Sequence, residues 1–319
     1  SVGRVCTHPC ESQCSRGKLD SPVAICALKR FAADWVYEHG ATREKSVQTG
    51  DGITDRPAAK IAVVGSGPAG LACAHHLARM GYGVTVLESL PAAGGMMRVG
   101  IPAYRLPREV LQREIDAIVA EGVEIRVNTP VRNIDALFTE GYAAVFLAIG
   151  AHEPQRLGID GEDAQGVYHG VSFLQAASLA PEGGNMPAVG ERVVVIGGGN
   201  TAVDAARTAL RLGARDVTMV YRRSRDEMPA SSWEIEEAER EGIRLELLTA
   251  PLAVEMKEGR VAGIRCQRME LGEPDESGRR RPVPVPGSEF RIAADTMIAA
   301  VAQAPEISSL DEGHGLKVS

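Results

Sequence analysis

The sequence lacks several features that mark particular classes of protein. Its 319 residues hold 35 Lys and Arg against 42 Asp and Glu, and a net charge of −7 argues against general nucleic-acid binding, which needs a basic face. No apolar run approaches the roughly 20 residues of a membrane-spanning helix. The N-terminus lacks the basic start and apolar core of a signal peptide. We therefore expect a cytoplasmic protein with no nucleic-acid or membrane partner.

Cysteine is scarce and unevenly distributed. Cys73 and Cys266 are solitary, while four of the six cysteines lie in the first 26 residues, which is not a disulfide framework. Their C-x3-C-x3-C-x11-C spacing matches neither a zinc finger nor a thioredoxin-type C-x-x-C motif. Clustered thiolates indicate iron–sulfur ligation, with a small zinc site or unliganded thiols as alternatives. The predicted ligands are Cys6, Cys10, Cys14 and Cys26.

Residues 60–88 hold a glycine-rich turn between two predicted strands. An apolar run at 61–64 precedes the turn, and a helical pattern from Pro68 and a strand at 84–87 follow it. The turn has the G-x-G-x-x-G spacing that permits close approach to a pyrophosphate. Glu88, 23 residues after Gly65, is placed to accept hydrogen bonds from a ribose 2′-hydroxyl. A dinucleotide site is predicted, the alternative being a turn without a ligand; its turn residues are Gly65, Ser66, Gly67, Pro68, Ala69 and Gly70.

The segment 91–107 is rich in glycine and proline and shows no period, which favours a loop that wraps a ligand. Met96 is expected to contact a cofactor there, although methionine is more often a core filler. A helix at 109–121 and strands at 123–127 and 144–149 complete the first predicted nucleotide-binding unit.

A second strand–turn–helix follows at 193–212. Its G-x-G-x-x-A turn contains Gly197, Gly198, Gly199, Asn200 and Thr201. The next strand, at 217–221, is followed by Arg222 and Arg223 instead of an acid. Since guanidinium groups pair with a 2′-phosphate that a carboxylate would repel, this unit is predicted to bind NADP(H). The alternative is an ordinary solvated basic turn.

The remaining pattern completes an α/β fold of two nested Rossmann-like domains. An acidic helix at 233–242 is predicted to be solvated, and an Arg279–Arg281 run is predicted to lie at an exposed hairpin tip. A strand at 295–305 is expected to rejoin the first domain. The predicted domains are a Cys-rich helical segment and linker at 1–58, an FAD-binding domain at 59–158 plus 295–319, and an NAD(P)H-binding domain at 159–294.

Two dinucleotide sites with opposite ribose chemistry suggest a flavin in the first unit and a nicotinamide in the second. A flavin can take a hydride from a nicotinamide and release single electrons, for which the cysteine cluster supplies an acceptor. Two other hypotheses are a thioredoxin-reductase-like disulfide oxidoreductase, which usually needs a C-x-x-C pair, and a non-catalytic docking module.

Distinctive stretches resemble one family along nearly the whole chain. GRVCTHPCESQC, VVGSGPAGLACAHHLA, GGMMRVGIPAYRLP and VYRRSRDEMPA are similar to the glutamate synthase small (beta) subunit and its relatives, the N-terminal half of dihydropyrimidine dehydrogenase and the large subunit of NADH-dependent ferredoxin:NADP oxidoreductase. The resemblance implies an electron-input flavoprotein that passes hydride from NADPH to FAD, then single electrons through [4Fe–4S] clusters to a large catalytic subunit or fused acceptor domain.

The resemblance also implies further site residues. It adds to the FAD site Gly94, Gly95, Met96, Gly100, Ile101, Arg105, Val131, Ala148 and Gly150, and to the NADPH site Asp204. Lys29 stands where relatives place a glutamine or glutamate cluster ligand. The upstream cysteines and the C-terminal FAD-closing segment of the family are missing, so we expect this sequence to be part of a longer protein.

Overall fold

A computed structural model describes residues 2–40, 59–276 and 278–305 of the chain. These residues form two compact units, which we call unit one, up to Gly150, and unit two, Ala151–Pro305. The predicted linker at 41–58 and the end of the predicted FAD-binding domain at 306–319 lie outside the described residues.

Unit one begins with a small helical segment. Its elements are α1 (Val2–Val5), α2 (Pro9–Ser12), a 3₁₀ turn (Ser15–Lys18) and α3 (Ile25–His39). An ion pair with 2.8 Å between Arg4 Nη2 and Asp34 Oδ1 joins α1 to α3. No residue of α3 is buried, and among the described residues no helix is long and apolar enough to span a bilayer.

The remainder of unit one is a parallel sheet with helices. The elements are β1 (Lys60–Val64), α4 (Pro68–Arg79), β2 (Gly83–Leu87), α5 (Met96–Val99), α6 (Arg108–Val119), β3 (Glu124–Arg126), α7 (Ile134–Thr139) and β4 (Ala144–Leu147). The strand order is β3-β2-β1-β4, and each pair is parallel. The apolar run of β1 is buried at the centre, as parallel strands covered on both faces require.

Unit two repeats this plan with more strands. The elements are β5 (Glu153–Pro154), β6 (Val167–His169), α8 (Gly170–Leu179), β7 (Arg192–Ile196), α9 (Asn200–Arg211), β8 (Asp216–Val220), α10 (Ser232–Arg240), β9 (Arg244–Glu246), β10 (Thr249–Lys257), β11 (Arg260–Pro274), β12 (Arg280–Ala293), β13 (Thr296–Ala299) and β14 (Gln303–Ala304). The main sheet is parallel, in the order β6-β13-β7-β8-β9. Rossmann-like architecture is thus confirmed in both units.

The strand β13 corrects one prediction. It was expected to rejoin the first domain, yet Thr296–Ala299 pairs in parallel with both β6 and β7. All four residues are buried, which is typical of a central strand of a parallel sheet. The central position that this strand occupies lies between β6 and β7 of unit two. The boundary expected near residue 158 correspondingly falls at Gly150.

An antiparallel sheet of β10, β11 and β12 lies beside the parallel sheet of unit two. The polar arm predicted between short strands is largely strand, because β11 continues to Pro274 and β12 begins at Arg280. Ile264 and Cys266 of β11 pack with Met297 of β13 in one buried apolar cluster. This packing fixes the long hairpin on the parallel sheet.

Helix α10 is less solvated than its acidic composition predicts. Ile235 and Ala238 belong to the main core of unit two, and the side chain of Glu234 is 1% exposed. The apolar positions are three residues apart and therefore share one face of the helix, which packs toward α9.

A partly exposed charge network joins α9 to the end of α10. Glu241 accepts hydrogen bonds from Arg207 Nη2 at 2.6 Å and Arg211 Nη1 at 2.7 Å. The arginines, Arg211 foremost, lower the pKa of Glu241 from 4.5 to about 2. The depressed pKa means that the ionised carboxylate stabilises the folded unit.

We predict that Glu241→Gln lowers the free energy of unfolding by about 2 kcal/mol at neutral pH. Because the folded pKa lies below the unfolded one, this stabilisation is complete above pH 4.5 and declines as the pH falls toward about 2. Urea unfolding followed by circular dichroism across this range should show the wild type converging on the variant. Glu236→Gln is the matched control, because it removes an exposed ion pair in which Glu236 lies 3.6 Å from Arg240. This variant should change the free energy of unfolding by less than about 0.5 kcal/mol.

Candidate functional site

The first glycine turn is shaped by backbone packing. Gly65 has a φ of +101°, and a Cβ there would lie 2.3 Å from the carbonyl oxygen of Ala148. A Cβ on Gly70 would lie 1.9 Å from the carbonyl oxygen of Gly65. At Gly67 no heavy atom would lie within 4 Å of the added Cβ. Two glycines therefore close the turn on β4, and the third leaves open space beside the N-terminus of α4.

The carboxylate of Glu88 accepts hydrogen bonds from the turn. This carboxylate follows β2, is 4% exposed, and accepts a hydrogen bond from the backbone nitrogen of Ser66 at 2.9 Å. Its other oxygen accepts from the backbone nitrogen of Leu90 at 2.8 Å. Ser66 Oγ donates to Glu88 and accepts from the nitrogen of Gly94 at 2.9 Å. The acid therefore ties the turn to the segment that follows β2, and ribose binding by Glu88 stays a prediction.

The segment 91–107, predicted as an irregular loop, contains the short helix α5. Gly95 has a φ of +52°, and a Cβ there would lie 2.6 Å from Cα of Gly67, so the segment closes on the glycine turn. Arg98 is buried and donates from Nε to the carbonyl of Ala93 at 2.7 Å. Met96 is half-buried, and its Cε would lie 2.5 Å from a Cβ on Gly100. Contacts between residues of this segment, from the side chains of Arg98 and Met96, therefore fix its conformation.

Four further predicted FAD residues fall into two groups. Ala148 and Gly150 follow β4 at the carboxyl edge of the sheet, the same edge as the glycine turn. Ile101 and Val131 instead pack against apolar clusters of unit one. The structure therefore brings the first two to the turn and packs the second two, partly buried, against the core.

These residues fit a dinucleotide in unit one. Open space lies beside Gly67, the N-terminus of the twelve-residue helix α4 offers positive potential, and a buried carboxylate ends the next strand. This is the arrangement that receives a pyrophosphate on the turn and a ribose near the acid.

Unit two repeats the turn after β7. Gly197 has a φ of +145°, and a Cβ there would lie 2.3 Å from the carbonyl oxygen of Ala300. A Cβ on Gly198 would lie 2.6 Å from the ring of Tyr221. At Gly199 the space within 4 Å is open, as it is at Gly67. Gly199 is therefore the position where a pyrophosphate can approach the backbone.

A cavity of about 640 Å³ opens from this turn. Its walls come from the carboxyl edge of the parallel sheet, the segment after β5 and the antiparallel hairpin. The polar and glycine residues that line it include Gln155, Arg156, Gly197, Gly198, Gly199, Thr201, Arg222, Arg223, Thr249, Arg279 and Gln303. Of these, sequence reasoning missed Gln155, Arg156, Thr249 and Gln303, which no local motif marks, and it assigned Arg279 only to an exposed hairpin tip.

The two predicted phosphate-binding arginines have different environments. Arg222 is exposed and lines the cavity. Arg223 also borders the cavity but is 4% exposed, and its Nη2 lies 2.6 Å from Asp275 Oδ2. The difference comes from Asp275, a partner distant in sequence that binds Arg223.

Two other predicted NADPH residues have structural partners. Asn200 Oδ1 accepts a hydrogen bond from the nitrogen of Ser231 at 3.2 Å. Asp204 is 3% exposed in α9 and is outside the set of residues lining the cavity. Its predicted contact with the dinucleotide therefore finds no support in the cavity's shape.

Among the N-terminal cysteines, Cys6 and Cys26 lie close together. Cys26 Sγ lies 3.7 Å from the carbonyl oxygen of Cys6, and the backbone nitrogen of His8 donates to Cys6 Sγ at 3.4 Å. Burial, followed by the nearby Cys6, raises the pKa of Cys26, with a smaller contribution from Cys10. Backbone hydrogen bonds, first from Val23, lower the pKa of Cys14.

Four thiols within the first 26 residues are a donor set that suits iron–sulfur ligation, and the charges of Cys6 and Cys10 both act on Cys26. Within the described ranges, no group of three or more His, Cys, Asp or Glu is placed to hold a single metal ion. Ligation of one cluster by all four thiols therefore stays a prediction.

Cys266 is unsuited to redox chemistry. It is 0% exposed in β11, and burial raises the pKa of its thiol to about 12. Cys73, whose pKa is also raised by burial, lies in unit one. Because the thiolate is the reactive form, we predict that iodoacetamide leaves Cys266 unlabelled in the native chain at neutral pH and labels it after unfolding in guanidinium.

Mass spectrometry of tryptic peptides would measure this labelling, with the exposed Cys10 in chelator-treated protein as the reactive reference. Labelling of native Cys266 at the rate of Cys10 would contradict the prediction and revive a thiol-based mechanism.

Comparison with known proteins adds family relationships. Residues 59–319 match the family described as pyridine nucleotide-disulphide oxidoreductase, and residues 1–41 match the one described as dihydropyrimidine dehydrogenase domain II, 4Fe-4S cluster. The structure resembles that of Mycobacterium tuberculosis FprA in complex with NADPH, with a TM-score of 0.67 and 23% identity, covering 78% of this chain and 71% of that one. At this identity the likeness concerns the fold alone.

Curated relatives match along nearly the whole chain. The beta subunit of the NADP(+)-dependent formate dehydrogenase of Moorella thermoacetica is 47% identical, covering 97% of this chain and 46% of that protein. The beta subunit of the NADPH-Fe(3+) oxidoreductase of Geobacter sulfurreducens is 46% identical, covering 99% and 47%. The glutamate synthase [NADPH] small chain of Halomonas elongata is 36% identical, covering 99% and 68%. The chain thus spans about half the length of the first two relatives.

Proposed function

This chain belongs to the pyridine nucleotide-disulphide oxidoreductase family, and on that premise we propose that it is the electron-input part of a larger NADPH-dependent enzyme of the glutamate synthase small-subunit type. In this proposal unit one binds FAD, unit two binds NADP(H), and the N-terminal cysteines ligate [4Fe–4S] clusters. When bound, FAD supplies a group that takes a hydride from a nicotinamide and releases electrons singly.

The observation that supports this proposal best is that residues of opposite charge follow two equivalent strands. After β2 stands the buried carboxylate of Glu88, and after β8 stands the exposed guanidinium of Arg222. A carboxylate suits a ribose with a free 2′-hydroxyl, and a guanidinium suits one with a 2′-phosphate. Two different dinucleotides are therefore favoured over two copies of one.

The chain's residues have separate tasks in this proposal. Gly67 and Gly199 leave room for a pyrophosphate beside the N-termini of α4 and α9. Ser66 and Glu88 hold the first turn and the segment 91–107 together. No nucleophile is needed, because the reaction transfers a hydride and electrons.

The N-terminal segment supports the direction of electron flow. Its match to a 4Fe-4S domain, together with the four cysteines within its first 26 residues, favours an iron–sulfur acceptor. The relatives named above are subunits or small chains, so we propose that a large catalytic subunit or a fused acceptor domain receives the electrons.

An anaerobic absorption spectrum of the purified chain, followed by titration with NADPH, tests the proposal. We expect flavin bands that bleach as NADPH is added and an iron–sulfur shoulder in protein purified without oxygen. If protein of the relatives' full length contained neither flavin nor iron, the proposal would be wrong. A disulfide oxidoreductase would instead show new thiols on titration with NADPH.

A further inference from the structure

Three consecutive arginines, of which the first precedes β12 and the other two begin it, lie in three different environments. The guanidinium of Arg280 turns back onto β11, where Nη2 donates to the carbonyl of Leu271 at 2.6 Å and Nε to that of Gly272 at 3.1 Å. Arg279 lines the cavity of unit two. Arg281 is exposed and is outside the set of lining residues. The run that looked like a uniform basic tip therefore contributes one side chain to the cavity wall.

Arg223 fixes the hairpin tip at the end of β8. Its Nη2 donates to Asp275 Oδ2 at 2.6 Å and its Nε to the carbonyl oxygen of Arg280 at 2.7 Å. The guanidinium is almost fully buried, and a buried charge is stable only with such partners. One side chain thereby holds both strands of the hairpin tip against the segment that carries Arg222.

The ion pair of Arg223 joins two distant segments that each contribute an arginine to the lining of the cavity. Arg222 follows β8 and Arg279 precedes β12, and both line the cavity that opens from the glycine turn. Like charges that line one cavity repel each other, and an anion bound in the cavity lowers that cost. Since the turn at Gly199 already provides for a pyrophosphate, Arg222 and Arg279 are available for a further phosphate group, such as the 2′-phosphate of NADP(H).

We propose that Arg279 acts with Arg222 as a second determinant of selectivity for the 2′-phosphate, and that Arg223 is a positioning residue that holds Arg279 in the cavity wall. This inference rests on the proposed binding of NADP(H) in unit two. It assigns a role to the β11–β12 hairpin and changes the expected role of Arg223 from ligand contact to clamp.

The affinities of the full chain for 2′,5′-ADP and for 5′-AMP, measured by isothermal titration calorimetry, isolate the contribution of the 2′-phosphate, because the two nucleotides differ only in that group. We expect Arg279→Ala to weaken 2′,5′-ADP about tenfold, the loss of one charge-assisted contact, and to leave 5′-AMP unchanged. Arg279→Lys should retain part of the preference, since it keeps the charge and loses the fork. Arg281→Ala, the matched control two residues away, should leave both affinities unchanged.

The clamp needs a variant that keeps the charge balance. Arg223→Met combined with Asp275→Leu removes both partners of the ion pair and no net charge. We expect this double variant to lose preference for 2′,5′-ADP to about the extent of Arg279→Ala, with 5′-AMP affinity unchanged, which a general loss of structure would not produce. Full retention of the preference would show that Arg223 does not position Arg279.

The outcomes separate this inference from the proposed function. If the wild type bound both nucleotides equally, NADP(H) selectivity itself would be wrong. If the wild type preferred 2′,5′-ADP, and Arg222→Ala abolished the preference while Arg279→Ala behaved like Arg281→Ala, the role of the hairpin alone would be overturned. Arg279 is exposed, so its variants are expected to fold.

Discussion

Gly70→Ala is expected to lower the free energy of unfolding by about 3 kcal/mol and to abolish flavin binding in unit one. The new Cβ would lie 1.9 Å from the carbonyl oxygen of Gly65 and 3.3 Å from Cβ of Ala148. The first of these is a backbone atom, so no side-chain rotation relieves the contact, and α4 must move away from β1. Urea unfolding followed by circular dichroism would measure the loss.

Gly67→Ala is the matched variant, because it tests FAD binding without disturbing the fold. Gly67 has a φ of −68°, which alanine adopts readily, and no heavy atom lies within 4 Å of the added Cβ. Stability should therefore change by less than about 0.5 kcal/mol. Because the methyl group would occupy the space proposed for the pyrophosphate, we expect FAD affinity to fall at least tenfold, roughly the loss of one charge-assisted hydrogen bond.

Gly83→Ala provides the control for glycine replacement in general. A Cβ there would make only an ordinary contact, 3.8 Å from Lys60 Cγ. Flavin retention after gel filtration, measured by absorbance, should then match that of the wild type. Wild-type stability in Gly70→Ala, or wild-type flavin retention in Gly67→Ala, would contradict the assignment of the turn.

The periodic parts of the structure could be predicted from sequence because their causes are local. The run at 61–64 is apolar throughout, and the glycines that follow have the spacing of a dinucleotide turn, so the predicted strand, turn and helix agree with β1 and α4. Even the substitution of Ala202 for the third glycine of the second turn fits its site, where the alanine is fully buried. In unit one that position is Gly70, where a Cβ would meet backbone.

The errors arose where a residue's neighbour is distant in sequence. The strand at 296–299 is apolar and short, a pattern that fits a central place in either sheet, and only pairing with β6 and β7 decides between them. Arg223 and Arg222 are chemically identical, and the partner that removes Arg223 from the solvent is Asp275, which is 52 positions away. Local spacing contains no signal for such a contact.

The two units show how one turn can serve two ligands. In each, a backbone nitrogen of the turn's first glycine donates to the end of the neighbouring strand, Gly65 to Leu87 at 2.8 Å and Gly197 to Val220 at 3.0 Å. The turns are therefore equivalent in construction, and the chemistry around them differs in the residues just beyond that neighbouring strand. Selectivity is accordingly expected to reside at Glu88 in unit one and at Arg222 together with Arg279 in unit two, and not in the glycines.

Arg222→Asp is expected to weaken NADPH binding about a hundredfold and to change NADH binding by less than about threefold. The guanidinium is exposed on the cavity wall, where it can pair with a 2′-phosphate. A carboxylate at the same place removes that pairing and repels the phosphate, whereas it can accept a hydrogen bond from the 2′-hydroxyl of NADH. Dissociation constants from fluorescence titration with each nucleotide would measure the change.

Arg225→Asp makes the same change of charge three residues along the chain and serves as the control. Arg225 is exposed, pairs with Glu239 at 2.7 Å, and is outside the set of residues lining the cavity. A general effect of charge on the approach of an anion would appear in both variants and would weaken as salt is added. A contact with the 2′-phosphate would appear in Arg222→Asp alone. Equal weakening of NADPH and NADH by Arg222→Asp would show that this side chain does not distinguish the two nucleotides, and the proposed chemistry of unit two would have to be revised.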